Sequence, residues 1–171
     1  MFERTTRICT VIDRISIATG YAASWLTLLM VLVTFVIVVL RYAFDEGAIW
    51  LQESVTWMHA MVFMLGAAYT LQSEEHVRVD IFYRNMGRRG QASVNLLGVI
   101  LFIFPLCVYV FLESLDYVLA AWQIREVSRD AGGLPFPLLP LLKSALLVMP
   151  VAVLLQGISL GLRALSDLRR T

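Results

Sequence analysis

Four membrane-spanning α-helices, with both chain ends on the cytoplasmic side, are the fold class this sequence predicts, and three observations predict it. Four apolar stretches, roughly 15–40, 49–71, 94–119 and 136–162, fill most of the 171 residues. Each exceeds the ~20 residues an α-helix needs to cross a ~30 Å hydrocarbon core at 1.5 Å per residue, and only structures that satisfy their own backbone hydrogen bonds can span lipid, which makes these stretches helices rather than core strands. The arginines alternate: Arg4, Arg7 and Arg14 precede the first stretch, Arg78, Arg84, Arg88 and Arg89 separate the second from the third, and Arg163, Arg169 and Arg170 follow the fourth, whereas the other two gaps hold only Arg41, Arg125 and Arg129. Because cytoplasmic loops carry the Lys/Arg excess, both termini and the 73–92 loop are expected to be cytoplasmic. Composition agrees, at 59% hydrophobic and 16% charged residues, a balance far from that of soluble domains. The whole chain, 1–171, reads as a single multi-pass membrane domain.

The first stretch carries no charge from Ile15 to Leu40. That is longer than the ~7–15 residues of a leader's apolar region, so it is expected to stay as an anchor, and a span so uniformly apolar contains no transport chemistry of its own. The second opens on a polar turn, Asp45-Glu46-Gly47, after which Trp50, Glu53, Ser54 and Trp57 recur at steps of three and four. One amphipathic face follows, and the helix is expected to enter the membrane obliquely from the outer interface. Trp50 and Trp57, with Tyr42, Phe44 and Trp122, suit the headgroup level at that side as belt aromatics. In the third and fourth stretches Pro105 and Pro150 are expected to kink their helices, while Pro135, Pro137 and Pro140 shape the entry to the fourth.

Ionisable residues inside spans are costly and persist where they are paired or used. Glu53, His59, Glu113, Asp116 and Lys143 are the candidates. Glu113 and Asp116, three residues apart, share a helical face, and Lys143 reaches the same outer level on the next helix, so the sequence predicts an ion-paired cluster there. As a packing clamp it joins helices; as a relay it would move a substrate or ion. Its depth favours the clamp, since coupling sites lie nearer the midplane. His59 reads as a polar contact to another helix or as a proton-linked switch. Small residues mark places where helices can meet closely: Gly157 and Gly161 in a G-x-x-x-G, Gly66 beside Ala67 and Ala68, and Gly20 with Ser24.

Several function classes lose their footing on these residues. A net charge of +1 spread over topology-setting arginines offers no patch for nucleic acid. Cys9 and Cys107 are isolated and make neither a disulfide framework nor a redox pair. Haem would want two histidines in the bundle, and His76 belongs to a loop. Ser54 and His59 lie five residues apart, poorly placed on a helix for a nucleophile and its base. No phosphate-binding loop is present. Catalytic, cofactor-binding and metal-ligating residues are therefore expected to be none. A stand-alone four-helix proton-coupled exporter is the alternative reading, although such a protein would be expected to carry an acid in its first helix.

The run Gly66-Ala-Ala-Tyr69, followed by His76-Val-Arg78-Val-Asp80, brings a family into view. With Arg41-Tyr-Ala-Phe44, Trp50-x-x-Glu53, Trp57 and Gly-Gly-Leu-Pro-x-Pro at 132–137, the chain resembles over nearly its whole length the small, DctQ-type membrane subunit of tripartite ATP-independent periplasmic (TRAP) transporters. Gln52 departs from the pattern, because the family often has a second acid beside the one matching Glu53. The resemblance implies a subunit of the bacterial inner membrane that forms a stable complex with a large membrane subunit and meets a periplasmic solute-binding protein transiently. The large subunit would hold the substrate and the coupling sodium, leaving this chain without a cofactor. The solute implied is a small organic acid or a related compound.

Overall fold

A computed structural model describes residues 2–73, 83 and 85–170. Its helices are α1 (Phe2–Ala43), α2 (Ile49–Gln72), α3 (Arg88–Gly98), α4 (Phe104–Gln123) and α5 (Leu138–Arg170). A π-helical turn, Val99–Ile103, joins α3 to α4 in one continuous element. Among the described residues four segments are long and apolar enough to cross a membrane: Arg7–Ala43, Ile49–Gln72, Arg88–Gln123 and Leu138–Arg169. The predicted spans all fall within these helices except for the first two residues of the fourth. The helices run further than the spans because polar ends such as Arg7–Arg14 keep helical hydrogen bonding outside the hydrocarbon, where water also accommodates the side chains.

The chain turns sharply at the end of α1. Asp45 adopts a left-handed φ of 54°, which aspartate tolerates better than most residues, and Glu46 N–H returns to the Leu40 carbonyl at 3.1 Å. At the end of α4 the same device is more regular. Arg125 takes φ 50°, its N–H reaches the Trp122 carbonyl at 3.2 Å and Glu126 N–H reaches Ala121 at 3.0 Å, the bond pattern of a Schellman motif in a place where glycine is usual.

Packing centres on α5, which touches α1, α2, α3 and α4, while α1 also lies along α2. Glycines set two of these approaches. The Tyr69 ring sits so close to Gly20 that a β-carbon at 20 would meet ring carbons at 2.4 and 2.6 Å, so the tyrosine of the G-A-A-Y run docks α2 onto α1. Gly157 and Gly161 face the π-helical turn: a β-carbon at 157 would lie 3.0 Å from Ile103 Cγ2, and one at 161 would lie 3.7 Å from Val99 Cγ1. The G-x-x-x-G thus meets a neighbour within this chain.

The two prolines behave differently from one another. Pro105 has no N–H for the carbonyl of Leu101; the turn before it widens, and Phe104 N–H bonds back five residues to Val99, so the third span accommodates its proline with a π-turn. Pro150 is fully buried within a continuous α5.

Candidate functional site

Residues 124–137, between α4 and α5, fold over the start of α2, and the organising group is Glu53. One of its carboxylate oxygens accepts the Ser128 hydroxyl and the other accepts the Leu134 backbone N–H at 2.6 Å. Two further bonds close the loop: Ser128 N–H to the Leu134 carbonyl at 3.1 Å and Asp130 N–H to Ser128 Oγ at 3.1 Å. Each glycine of the Gly-Gly-Leu-Pro segment has a separate reason. Gly132 carries φ 80°, a conformation that costs other residues dearly. A β-carbon at Gly133 would lie 2.3 Å from Ser128 Oγ and 2.7 Å from Glu53 Oε2. Leu134 is buried and hands its N–H to Glu53. Gly133→Ala should therefore open the latch, read as faster thiol modification of an Arg129→Cys probe than in the same probe with Gly133 intact.

Beside the latch lies a cavity of about 540 Å³ whose charged lining includes Glu53, Glu126, Arg129 and Lys143. Lys143 Nζ donates to Glu126 at 2.5 Å and stands 3.9 Å from the centre of the Tyr117 ring. The predicted pairing of Lys143 with Glu113 or Asp116 is corrected here. Glu113 and Asp116 are exposed on α4 and make no ion pair within the described residues. The Schellman turn at Arg125 brings Glu126 back over the mouth of α5, so a loop carboxylate reaches the lysine before either helical one does. Glu53 does not join an ion pair with the others; it holds the loop.

The tryptophans divide. Trp57 is more than an interface anchor, since its indole N–H donates to the Leu138 carbonyl at 2.7 Å and ties α2 to the first turn of α5. Trp122 likewise bonds Ser144 Oγ at 2.9 Å. Trp50 is exposed. Of the other motif residues, Arg41 lies exposed in the last turn of α1, and Gly66 has open space around it. His76, Arg78 and Asp80 lie outside the described residues.

At the opposite end the structure assembles a network that sequence reasoning passed over. Asp13 of α1 accepts from Gln156 Nε2 at 3.0 Å and Ser159 Oγ at 3.2 Å, and pairs with Arg163, all three on α5. Ser16 donates to Gln156 Oε1 at 2.8 Å. Ser159 is 0% exposed and Gln156 3%. Gln156, Ser159 and Arg163 recur at steps of three and four, a polar stripe on an otherwise apolar helix that could have signalled a partner on another helix. The Asp13–Arg163 pair also shows the two ends of the chain side by side.

His59 is exposed on α2, where its ring meets Phe63 edge-on at 4.9 Å between centroids. Among the described residues no three His, Cys, Asp or Glu side chains gather as a metal site would require. What the arrangement does chemically is hold helices: one polar fastening at each end of α5.

Comparison with known proteins bears on this architecture. The family described as "Tripartite ATP-independent periplasmic transporters, DctQ component" matches residues 30–170. The C4-dicarboxylate TRAP transporter small permease protein DctQ of Vibrio cholerae serotype O1 is 33% identical over 52 residues, 30% of this chain. That similarity spans 22% of the Vibrio protein's own length. No solved structure matches the chain. The family match takes in α2 to α5 and residues 30–43 of α1, including the latch at Glu53 and the Lys143–Glu126 pair, and replaces the reading of a stand-alone exporter: this four-span membrane protein belongs to the DctQ family, the small-subunit component of TRAP transporters.

Proposed function

We propose that this chain binds and stabilises the large membrane subunit of a TRAP transporter in the bacterial inner membrane, for sodium-coupled uptake of a small organic acid or related solute that a periplasmic binding protein delivers. The family match over residues 30–170 carries the reading. The structure supports it through where its polar groups are spent. Glu53, Lys143 and Glu126 hold the outer end, and Asp13, Gln156, Ser159 and Arg163 hold the inner end. Transporters that work alone gather polar groups and broken helices at the midplane; here the bridging contacts lie at the two ends. Substrate and sodium would sit in the large subunit, and this chain would contribute neither ligand nor cofactor.

Reconstitution tests this. Uptake into vesicles should require both membrane chains, the binding protein and an inward sodium gradient, with C4-dicarboxylates, named for the Vibrio relative, as the first solutes to try. Uptake by this chain alone would overturn the proposal. The arginine distribution predicts the orientation: an Arg129→Cys thiol should react with an impermeant reagent added from outside, and a Ser93→Cys thiol should not.

A further inference from the structure

One face of α2 is polar, periodic and uncovered. Gln52, Thr56, His59, Phe63, Gly66 and Thr70 follow one another at steps of four and three along a single seam. The first four are exposed and the last two partly so. A 3.5-residue repeat is the spacing with which one helix packs along another. Among the described residues none closes over its middle: a β-carbon at Gly66 would find nothing within 4 Å.

Three of its polar groups are also unanswered. Ser24, Thr27, Thr34 and Thr70 each return their hydroxyl to the carbonyl four residues earlier in the same helix. The side chains of Gln52, Thr56 and His59 have no hydrogen-bond partner among the described residues. His59, ten residues into α2, lies about 15 Å along the helix from its start, inside a segment long and apolar enough to cross a membrane. Lipid tails offer an imidazole neither donor nor acceptor. Beside it a groove of about 440 Å³ runs between α1 and α2, walled by Met30, Val31 and Thr34 on one side and by Val55, Thr56 and His59 on the other.

We infer that this seam receives one transmembrane helix of the large membrane subunit, an apolar helix with a large side chain that enters the groove and a hydrogen-bonding or acidic side chain opposite His59. The inference rests on the proposed function for the identity of the partner. Complementarity selects the occupant. A charged or polar group facing His59 removes the cost of leaving it in lipid, and a bulky residue facing Gly66 fills space that none of the described residues occupies. A second copy fits poorly. Copies in one membrane run parallel, so a two-fold contact would set Phe63 against Phe63 and the hollow at Gly66 against another hollow.

The test uses this chain co-expressed with the large membrane subunit of its transporter, purified through a tag on this chain. Gly66→Leu and His59→Leu should each lower the large subunit retained by about tenfold, with the yield and monodispersity of the tagged chain unchanged. Phe102→Leu, on the π-turn, should retain it fully. A thiol introduced as Phe63→Cys and alkylated with a maleimide that carries a photoactivatable benzophenone should cross-link to the large subunit on illumination; Cys9 and Cys107 are buried, so the parent chain is the blank. Should Gly66→Leu lower the yield of the tagged chain itself, the Phe63→Cys cross-link decides alone. Full retention by both leucine variants, or a Phe63→Cys product at twice this chain's mass, overturns the inference while leaving the proposed function standing. A parent chain that retains no large subunit overturns the proposed function, and this inference with it.

Discussion

Asp13→Leu is expected to destabilise the chain by about 3 kcal/mol, measured as a fall in melting temperature in detergent. The magnitude follows from what the aspartate leaves behind. Gln156 and Ser159 are enclosed between α1 and α5, and a buried donor stripped of its acceptor costs about 1–3 kcal/mol. Arg163 is different: its side chain is 52% exposed, so water replaces the lost carboxylate. Arg163→Met should accordingly cost no more than about 1 kcal/mol, the usual worth of an exposed ion pair. The inequality between the two variants is the observable. Equal losses would mean that the Asp13–Arg163 attraction, rather than the satisfied buried donors, fastens α1 to α5.

Lys143→Met should cost about 2 kcal/mol. The lysine and Glu126 are 17% and 21% exposed, which places the pair below the ~3–5 kcal/mol of a fully buried one that loses a partner. Contact with the Tyr117 ring adds about 0.5–1 kcal/mol for a partly desolvated cation. The second substitution discriminates. Adding Glu126→Gln should recover much of the loss, because no carboxylate is then left without its counter-charge. Adding Glu113→Gln and Asp116→Asn should recover none, since neither acid meets the lysine. Rescue by the α4 pair instead would show that Lys143 faces α4 in the assembled membrane protein.

These expectations also mark the boundary between pattern and packing. The helices were legible because the bilayer imposes a length and an apolarity that one sequence displays locally, and because backbone hydrogen bonding leaves no other way across. Pro105 and the Gly157–Gly161 spacing announced a distortion and a close approach for reasons equally local. The family was legible in runs such as Gly66–Tyr69 and the Gly-Gly-Leu-Pro segment, although only the folded loop explains why its glycines stand there: Gly132 for its φ, Gly133 for the nearness of Glu53 and Ser128.

Partners across the chain were not legible. Depth along a span placed Lys143 level with Glu113 and Asp116, yet depth says nothing about azimuth, and those acids are exposed on α4. The loop supplied the counter-charge because a left-handed residue at Arg125 reverses the chain onto α5, a choice made by the backbone one residue before Glu126. Asp13 and Arg163 lie 150 positions apart, and each alone reads as a charge near a helix end. The sequence by itself determined how many helices are long and apolar enough to cross a membrane, since that depends on the local contest between hydrocarbon and water. Which helices touch, which charges meet and which face of α2 stays bare were decided by the tertiary structure, because side-chain pairing depends on helix rotation and loop path, and neither is a property of any one stretch of sequence.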